Sequence, residues 1–218
     1  DFPPPPHVCD AAMRAIRDGH TRYTQVDGIP ELKAAIIRKF ARENGITFTP
    51  ENISVGTGGK QVLFNALMAT VQEGDEVVIP APYWVSFAGI VEVAGGTPVY
   101  VTSGFADGLK MTADSLAAAI TPRTRWVIIN SPSNPTGMGY SATEMRALAD
   151  VIRPHEQVMV ISDDLYEHLT YDGFAFHTLA ALAPDMAGRI LTLNGVSKSY
   201  SMTGWRIGFA AAPAPLVR

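Results

Sequence analysis

The sequence lacks the features that are typical of secreted, membrane and nucleic-acid-binding proteins. It contains one cysteine, Cys9, so it cannot form an internal disulfide, and we expect a reducing compartment, the cytoplasm. No apolar run approaches the roughly 20 residues that a membrane-spanning helix needs. The net charge of −4 offers no basic field to nucleic acid or to an anionic membrane. We therefore expect neither nucleic acid nor a membrane as a partner.

The hydrophobic fraction of 47% is enough for one sizeable core. The chain opens on a proline run, residues 3–6, and stops just after a strand-like apolar segment. We expect it to be a segment of a longer protein.

Short apolar runs alternate with amphipathic helical patterns along most of the chain. The runs are rich in Val and Ile and apolar on both faces, as in strands covered by helices on both sides. The predicted strands are 53–56, 76–80, 98–102, 126–130, 158–162, 190–194 and 207–211. The predicted helices are 10–18, 31–44, 60–71, 84–94, 112–120 and 141–152. This alternation predicts an α/β sandwich around a largely parallel sheet.

In such a sheet, ligands bind beyond the carboxyl ends of the strands. The residues that follow the predicted strands are polar, aromatic or glycine-rich. They are 58–60, 82–84, 130–137, 163–166 and 197–198. Their convergence on one edge is stronger evidence for a binding site than any single motif.

Lys198 follows an apolar run and has no charged neighbour before Arg206. A lysine that is partly desolvated near another cation can become a nucleophilic amine that forms a Schiff base. Taken alone, Lys198 is more typical of a surface lysine in a strand–helix loop. Only the other candidate residues at the strand ends, taken together with Lys198, favour a catalytic role.

Asp163 ends a buried run, where a carboxylate is costly unless it is paired. It could cap a following helix or hold a proton on a ring nitrogen. Tyr166 could point a phenol to the same side, or could simply pack. Asn134, in the turn 133–137, suits both a turn and a donor to a phenolate oxygen.

The stretch 56–61, GTGGKQ, follows a predicted strand and opens a helix, an arrangement that binds anions through backbone amides. The dinucleotide fingerprint and the P-loop both fail, because neither accepts Gln61. A phosphate site of another kind at Gly58 and Gly59 competes with an ordinary helix start.

Trp84, in the sequence Pro82-Tyr-Trp84, could stack on a flat ring or could simply pack. The histidines at 7, 20, 155, 168 and 177 have no metal-ligand spacing, so we expect no metal.

An amine, a ring-nitrogen carboxylate, a phenolate donor, a stacking aromatic and a phosphate site together match pyridoxal 5′-phosphate.

The sequence resembles class I pyridoxal-phosphate-dependent aminotransferases, of the bacterial aspartate-type branch. The stretch 195–208, GVSKSYSMTGWRIG, fits the lysine signature of that family. Further landmarks occur in the family's order. They are Tyr23 with 28–32, 81–84, 133–137 and 162–168. The resemblance implies the family's large domain over 23–218, with a mostly parallel seven-stranded sheet, a partial N-terminal segment over 1–22, and the C-terminal small domain missing.

The resemblance also implies a role for each matching residue at the ring. Lys198 carries the cofactor and moves the substrate proton, and Asp163 pairs with the ring nitrogen. Asn134 and Tyr166 bond the cofactor's phenolate oxygen, and Trp84 stacks on the ring. Trp84 and Asn134 are expected to contact substrate as well.

At the phosphate, the resemblance implies Gly58, Gly59 and Arg206. Gly195 stands where the family has a hydroxyl, and Ser197 is expected to compensate. Tyr23 matches a tyrosine that reaches the cofactor of a partner subunit, which implies a homodimer.

Lys60 matches a lysine that faces the distal carboxylate of an acidic substrate. The implied activity is ping-pong amino transfer between an L-amino acid, aspartate or glutamate, and a 2-oxo acid; we expect this chain alone to be inactive. Alternatives are a pyridoxal-phosphate lyase or synthase, an aminotransferase-like sensor domain of a regulator, and a nicotinamide oxidoreductase, which Gln61 disfavours.

Overall fold

The computed structural model describes residues 2–217 and has one seven-stranded sheet at its centre. The strands are β1 (Ile53–Gly56), β2 (Glu76–Ala81), β3 (Thr97–Thr102), β4 (Thr124–Asn130), β5 (Met159–Asp163), β6 (Ile190–Gly195) and β7 (Gly208–Ala211). Their order across the sheet is β1-β7-β6-β5-β4-β2-β3. All the predicted strands are confirmed, with ends that move by at most a few residues.

The sheet is parallel except for β7, which is antiparallel to both β6 and β1. The carboxyl ends of the other strands therefore meet at one edge, and the amino end of β7 joins them there. We call this the carboxyl edge. Because β7 runs backwards, the loop that carries Lys198 starts and ends at the carboxyl edge.

The helices are α1 (Pro6–Arg17), α2 (Pro30–Lys39), α3 (Gly59–Thr70), α4 (Ser86–Val93), α5 (Ala113–Ala119), α6 (Ala142–Ile152), α7 (Leu179–Leu182) and α8 (Ala214–Val217). A π-helical turn, Phe40–Asn44, extends α2, and Gly45 ends it in the left-handed conformation. Pro30 occupies the first turn of α2, where its missing N–H costs nothing. Ser141 caps α6 and exchanges hydrogen bonds with Glu144 in a capping box.

Helices cover both faces of the sheet, which makes three layers. The alternation of side chains along β2 shows why, since Val77 and Ile79 pack with α3 and α4 while Val78 packs with α5 and α6. The indole N–H of the fully buried Trp126 donates to Thr70 Oγ1 at 2.8 Å. The predicted α/β sandwich is confirmed.

The helix predicted from Trp84 starts instead at Ser86. Trp84 lies in the loop after β2, and its ring meets Phe87 edge-on at 5.4 Å between centroids. This later start leaves Trp84 at the carboxyl edge rather than on a helix face.

α1 has no buried residue. The division of the chain at residue 22 stays a prediction. Within residues 2–217, none of the helices combines the length and the apolar character that crossing a bilayer requires.

Candidate active site

A pocket opens at the carboxyl edge, with about 460 Å³ of free space that includes its open mouth. Small-molecule sites are commonly of this size. Its lining residues are Gly59, Lys60, Trp84, Asn130, Asn134, Asp163, Leu165, Tyr166, Leu193 and Lys198. The structure therefore brings together residues that follow five different strands of the sheet.

Asp163 is the last residue of β5 and is only 6% exposed. Its Oδ1 accepts a hydrogen bond from Leu165 N at 3.3 Å, and within residues 2–217 its carboxylate has no ion-pair partner. Burial raises the pKa of Asp163 to about 7. Turns rather than a helix follow it, so the alternative of a helix cap is wrong. A buried carboxyl group without a cation at a pocket wall is a candidate partner for a bound cationic group.

Asn134 is positioned by the neighbouring strand end. Asn130, the last residue of β4, donates through Nδ2 to the Asp163 carbonyl at 3.1 Å and accepts from Asn134 N at 2.8 Å. The turn that carries Asn134 is thereby tied to the end of β5. Its half-buried side chain faces the same pocket as Asp163.

Lys198 lies in the loop between β6 and β7. The two ends of this loop are held together by the pairing of Gly195 with Gly208 and by a 3.3 Å bond from Val196 N to Ile207 O. Lys198 is half-buried, and its Nζ lies 5.5 Å from the ring centroid of Tyr166. The amine and the Asp163 carboxyl group thus line one pocket, as the sequence predicted.

A candidate anion cradle lies beside this pocket, at the start of α3. Gly58 has a φ of +86°, and a β-carbon there would overlap the Arg206 guanidinium. Arg206 donates to Thr203 O at 2.8 Å. The first amides of α3 have no acceptor within the helix, so amides and a guanidinium converge. These donors suit a phosphate-sized anion.

The close approach at the cradle also needs glycine at a second position. A β-carbon on Gly208 would overlap the backbone of Gly58 and Gly59.

Ser197 is buried in the loop next to Lys198 and is not among the residues that line the pocket. Its predicted role as a phosphate donor stays a prediction.

Lys60 and Trp84 form the outer wall of the pocket. The Lys60 ammonium lies 4.9 Å from the Trp84 ring centroid, which is cation–π distance. Lys60 is exposed, so its charge is available at the mouth.

Tyr23 is fully exposed and does not line the pocket. The structure does not bring it to the other predicted site residues of the same chain. Its expected role concerns the site of a partner subunit, and that role stays a prediction.

Asn130, Leu165 and Leu193 line the pocket, but the sequence analysis assigned them no role, although Asn130 and Leu165 lie in the stretches that it placed at this edge. Asn130 carries a detectable signal, because it is a polar residue at the end of an apolar run. The two leucines carry none, since a leucine beside a strand end is ordinary core.

Glu43, Glu167 and His168 lie close enough together to resemble a metal site. Lys39 forms ion pairs with both carboxylates, so they already have a cationic partner. The expectation that no metal binds stays a prediction.

A sequence model of the family described as aminotransferase class I and II matches residues 1–218. The aspartate/prephenate aminotransferase of Cereibacter sphaeroides is 58% identical over 218 residues, which are 100% of this chain and 54% of that protein. The crystal structure of the aspartate aminotransferase from Rhizobium meliloti superposes with a TM-score of 0.98 at 53% identity, over 100% of this chain and 54% of that one.

The aspartate aminotransferase from Thermus thermophilus with maleate superposes with a TM-score of 0.95 at 43% identity, over 100% of this chain and 56% of that one. The chain spans about half the length of these relatives. The family match over its whole length confirms the resemblance drawn from the Lys198 signature, and the chain belongs to the class I and II aminotransferases.

Proposed function

We propose that the protein containing this chain is a pyridoxal-phosphate-dependent aminotransferase and that the carboxyl-edge pocket holds the cofactor. The observation that supports this best is the presence of Lys198 and Asp163 in one pocket, with Asp163 at the end of β5 and Lys198 in the loop that follows the adjacent strand β6. An amine and a buried carboxyl group that has no ion-pair partner within residues 2–217 fit the two ends of a pyridoxal ring. The cradle of Gly58, Gly59 and Arg206 fits its phosphate.

The fit is chemical as well as spatial. The raised pKa of Asp163 reflects burial without a cation, and a protonated ring nitrogen would supply one. When bound, pyridoxal phosphate supplies an electron sink for the negative charge that develops at the substrate α-carbon. Asp163 would hold the ring-nitrogen proton that makes the sink effective.

The other residues bind and orient. Lys198 would hold the cofactor covalently through Nζ and, once released, would accept the α-proton of the substrate as a general base. Tyr166 and Asn134 would donate to the phenolate oxygen, and Trp84 would cover one face of the ring. Fixing the ring in this way aligns the reacting bond with Nζ of Lys198.

The phosphate takes no part in the bond changes, and its binding energy anchors the ring. Gly58 and Gly59 contribute amides, Arg206 contributes charge, and we propose Ser197 as a further donor. The alignment of the α3 dipole with the phosphate would add to the attraction.

We propose aspartate or glutamate as the amino donor and a 2-oxo acid as the acceptor. Lys60, a cation at the pocket mouth, supports a substrate with a second carboxylate. The names of the relatives point the same way, since they include aspartate, prephenate and, for one structure, maleate. Each of these molecules carries two carboxylates.

We further propose that the protein works as a homodimer in the cytoplasm. The exposed Tyr23 supports the dimer, because its side chain is free to reach a second copy. Mixing Lys198→Ala subunits with Tyr23→Phe subunits should restore activity, since the hybrid contains one site with both residues intact. No recovery on mixing would contradict a shared site.

The single cysteine supports the proposed location in the cytoplasm.

The decisive experiment titrates the full-length protein with pyridoxal phosphate, follows the visible absorbance, and traps the adduct with borohydride. Lys198→Ala should abolish the trapped adduct. Lys110→Ala is the matched control, because Lys110 is also half-buried but pairs with Glu144 outside the pocket. A trapped adduct that survives in Lys198→Ala would refute the assignment.

A donor screen against 2-oxoglutarate and prephenate then tests the reaction. Transfer from aspartate or glutamate supports an aminotransferase. Release of ammonia or loss of a side-chain group without amino transfer would indicate a lyase on the same fold.

A further inference from the structure

Glu167 is a buried charge next to the site. Its side chain is 3% exposed, and a carboxylate so deeply buried is stable only with several donors. Lys39 forms an ion pair with it, Asn44 Nδ2 donates at 2.9 Å, and Asn194 Nδ2 donates at 2.8 Å. Glu167 does not line the pocket, so any effect on the chemistry must pass through its neighbours.

Asn194 connects Glu167 to the lysine loop. It is 2% exposed, lies at the end of β6, and accepts a hydrogen bond from Gly195 N at 2.7 Å. Glu167 immediately follows Tyr166, and Gly195 precedes Lys198 by three residues. Two hydrogen bonds therefore join the turn that carries Tyr166 to the start of the loop that carries Lys198.

His168 makes a second connection on the other side of Lys198. Its Nδ1 lies 3.1 Å from Ser199 Oγ, and its Nε2 lies 3.1 Å from Glu43 Oε2. Ser199 immediately follows Lys198. The turn 164–168 is thus bonded to the lysine loop both before and after the lysine.

The remaining partners of Glu167 and His168 come from one helical segment; with Glu167, His168 and Asn194 they form the Glu167 cluster. Lys39, Glu43 and Asn44 belong to the end of α2 and its π-helical turn. Phe40, at the start of that turn, is fully buried and packs edge-on against Phe209 of β7, with 5.9 Å between ring centroids. π-helical turns are rare and concentrate near functional sites.

We propose that Glu167 is a positioning residue, which fixes the turn of Tyr166 against the loop of Lys198 through Asn194. The inference deepens the function proposed above and rests on it. Without the buried carboxylate, the link through Asn194 would be lost, and within residues 2–217 the turn would be held to the lysine loop itself only by the contact of His168 with Ser199. The 5.5 Å separation of Lys198 Nζ from the Tyr166 ring would then no longer be fixed.

Three variants of the full-length protein test the proposal. Glu167→Gln weakens the ion pair with Lys39, and Asn194→Ala cuts the link but leaves that pair intact. Glu76→Gln is the matched control, because Glu76 is also a buried carboxylate, paired with Arg123 at the opposite edge of the sheet. All three should lower the melting temperature.

The first readout needs no cofactor. Hydrogen exchange of the cofactor-free protein should show amides of 196–201 losing protection by about tenfold in Glu167→Gln and Asn194→Ala, but not in Glu76→Gln. Unchanged protection of this loop in both cluster variants would overturn the proposal, even if they melt earlier. This result stands whether or not the protein binds pyridoxal phosphate.

The second readout is spectroscopic. With pyridoxal phosphate bound to Lys198 and not reduced by borohydride, the pH midpoint of the visible absorbance should rise by about one unit in Glu167→Gln and Asn194→Ala, because a misplaced Tyr166 phenol stabilises the phenolate oxygen less. We expect kcat to fall about tenfold with KM within about twofold. If the midpoints of Glu167→Gln and Asn194→Ala equal that of Glu76→Gln, Glu167 only stabilises the fold and the proposal is wrong.

Asn194→Ala serves where Glu167→Gln fails to fold, since it removes the link from Glu167 to the lysine loop and leaves the ion pair with Lys39 intact. It should shift the midpoint in the same direction, and no shift would count against the proposal. If the wild-type protein forms no adduct while Glu167→Gln and Asn194→Ala still lose protection in the loop, only the proposed function is refuted.

Discussion

The guanidinium of Arg206 occupies the space where a β-carbon on Gly58 would lie. Gly58 also has a φ of +86°, a conformation that L side chains rarely adopt. The glycine therefore meets two requirements at once, a backbone shape and a close approach. Both serve the proposed phosphate cradle.

Gly58→Ala should lower the affinity for pyridoxal phosphate by about tenfold or more, because Arg206 must move away from the cradle. Fluorescence titration of the full-length protein measures this change. Gly74→Ala is the matched control, since Gly74 has a φ of +93° but no atom near its missing β-carbon. Both variants should lose about 1–3 kcal/mol of stability from backbone strain. Equal cofactor affinities in the two variants would contradict the cradle.

The burial of Asp163 predicts an unusual pH dependence of the cofactor-free protein. Its pKa is raised from 3.8 to about 7 in the folded chain, so the folded state keeps the proton longer than the unfolded state. Stability is then highest below pH 4 as far as this group is concerned, and falls as the pH rises to about 7.

Asp163→Asn should flatten this decline, which urea denaturation at several pH values measures. Some slope should remain, because burial raises the pKa of Asp164 to about 8. Asp185→Asn is the control, since the ion pair with Arg153 lowers the pKa of Asp185 and confines its effect to more acidic solutions. Added pyridoxal phosphate should restore stability to the wild type but much less to Asp163→Asn. An unchanged slope in Asp163→Asn would show that ionisation of the buried Asp163 carboxyl group does not cause the decline.

The strands and the residues at their ends could be predicted because both depend on local pattern. Apolar runs of strand length fix where each strand stops, and the carboxyl edge of a parallel sheet is where ligands bind. Asp163 and Lys198 follow directly from that argument. Local pattern could not place the start of α4, because Trp84 is as compatible with a helix as with a loop.

The cluster around Glu167 could not be predicted, because its members meet only in the folded chain. Asn194 is 27 residues from Glu167, and Asn44 is 123 residues away. Their contact depends on the pairing of β5 with β6 and on the π-helical turn after α2. Hydrophobic periodicity does not indicate which strands pair, nor that a helix ends in a π-helical turn.

Tyr140 tests the core independently of the site. It is 3% exposed, and its hydroxyl oxygen accepts a hydrogen bond from Met111 N at 2.9 Å. Tyr140→Phe leaves that buried N–H without an acceptor, which should cost about 1–3 kcal/mol of unfolding free energy. Tyr171→Phe, at a 75% exposed position, should change it by less than about 0.5 kcal/mol. Urea denaturation of the full-length protein decides, and equal values would mean that the bond contributes nothing.

Lys60 tests the proposed preference for substrates with two carboxylates. Its ammonium sits over Trp84 at the pocket mouth, where it can meet a distal carboxylate without touching the reacting atoms. Lys60→Gln should raise KM for aspartate by about tenfold or more, because a charged hydrogen bond is lost. KM for phenylalanine, which has no second carboxylate, should stay within about twofold. Lys60→Arg keeps the charge and should retain most of the preference. An equal loss for both donors in Lys60→Gln would show that Lys60 supports Trp84 rather than selecting the substrate.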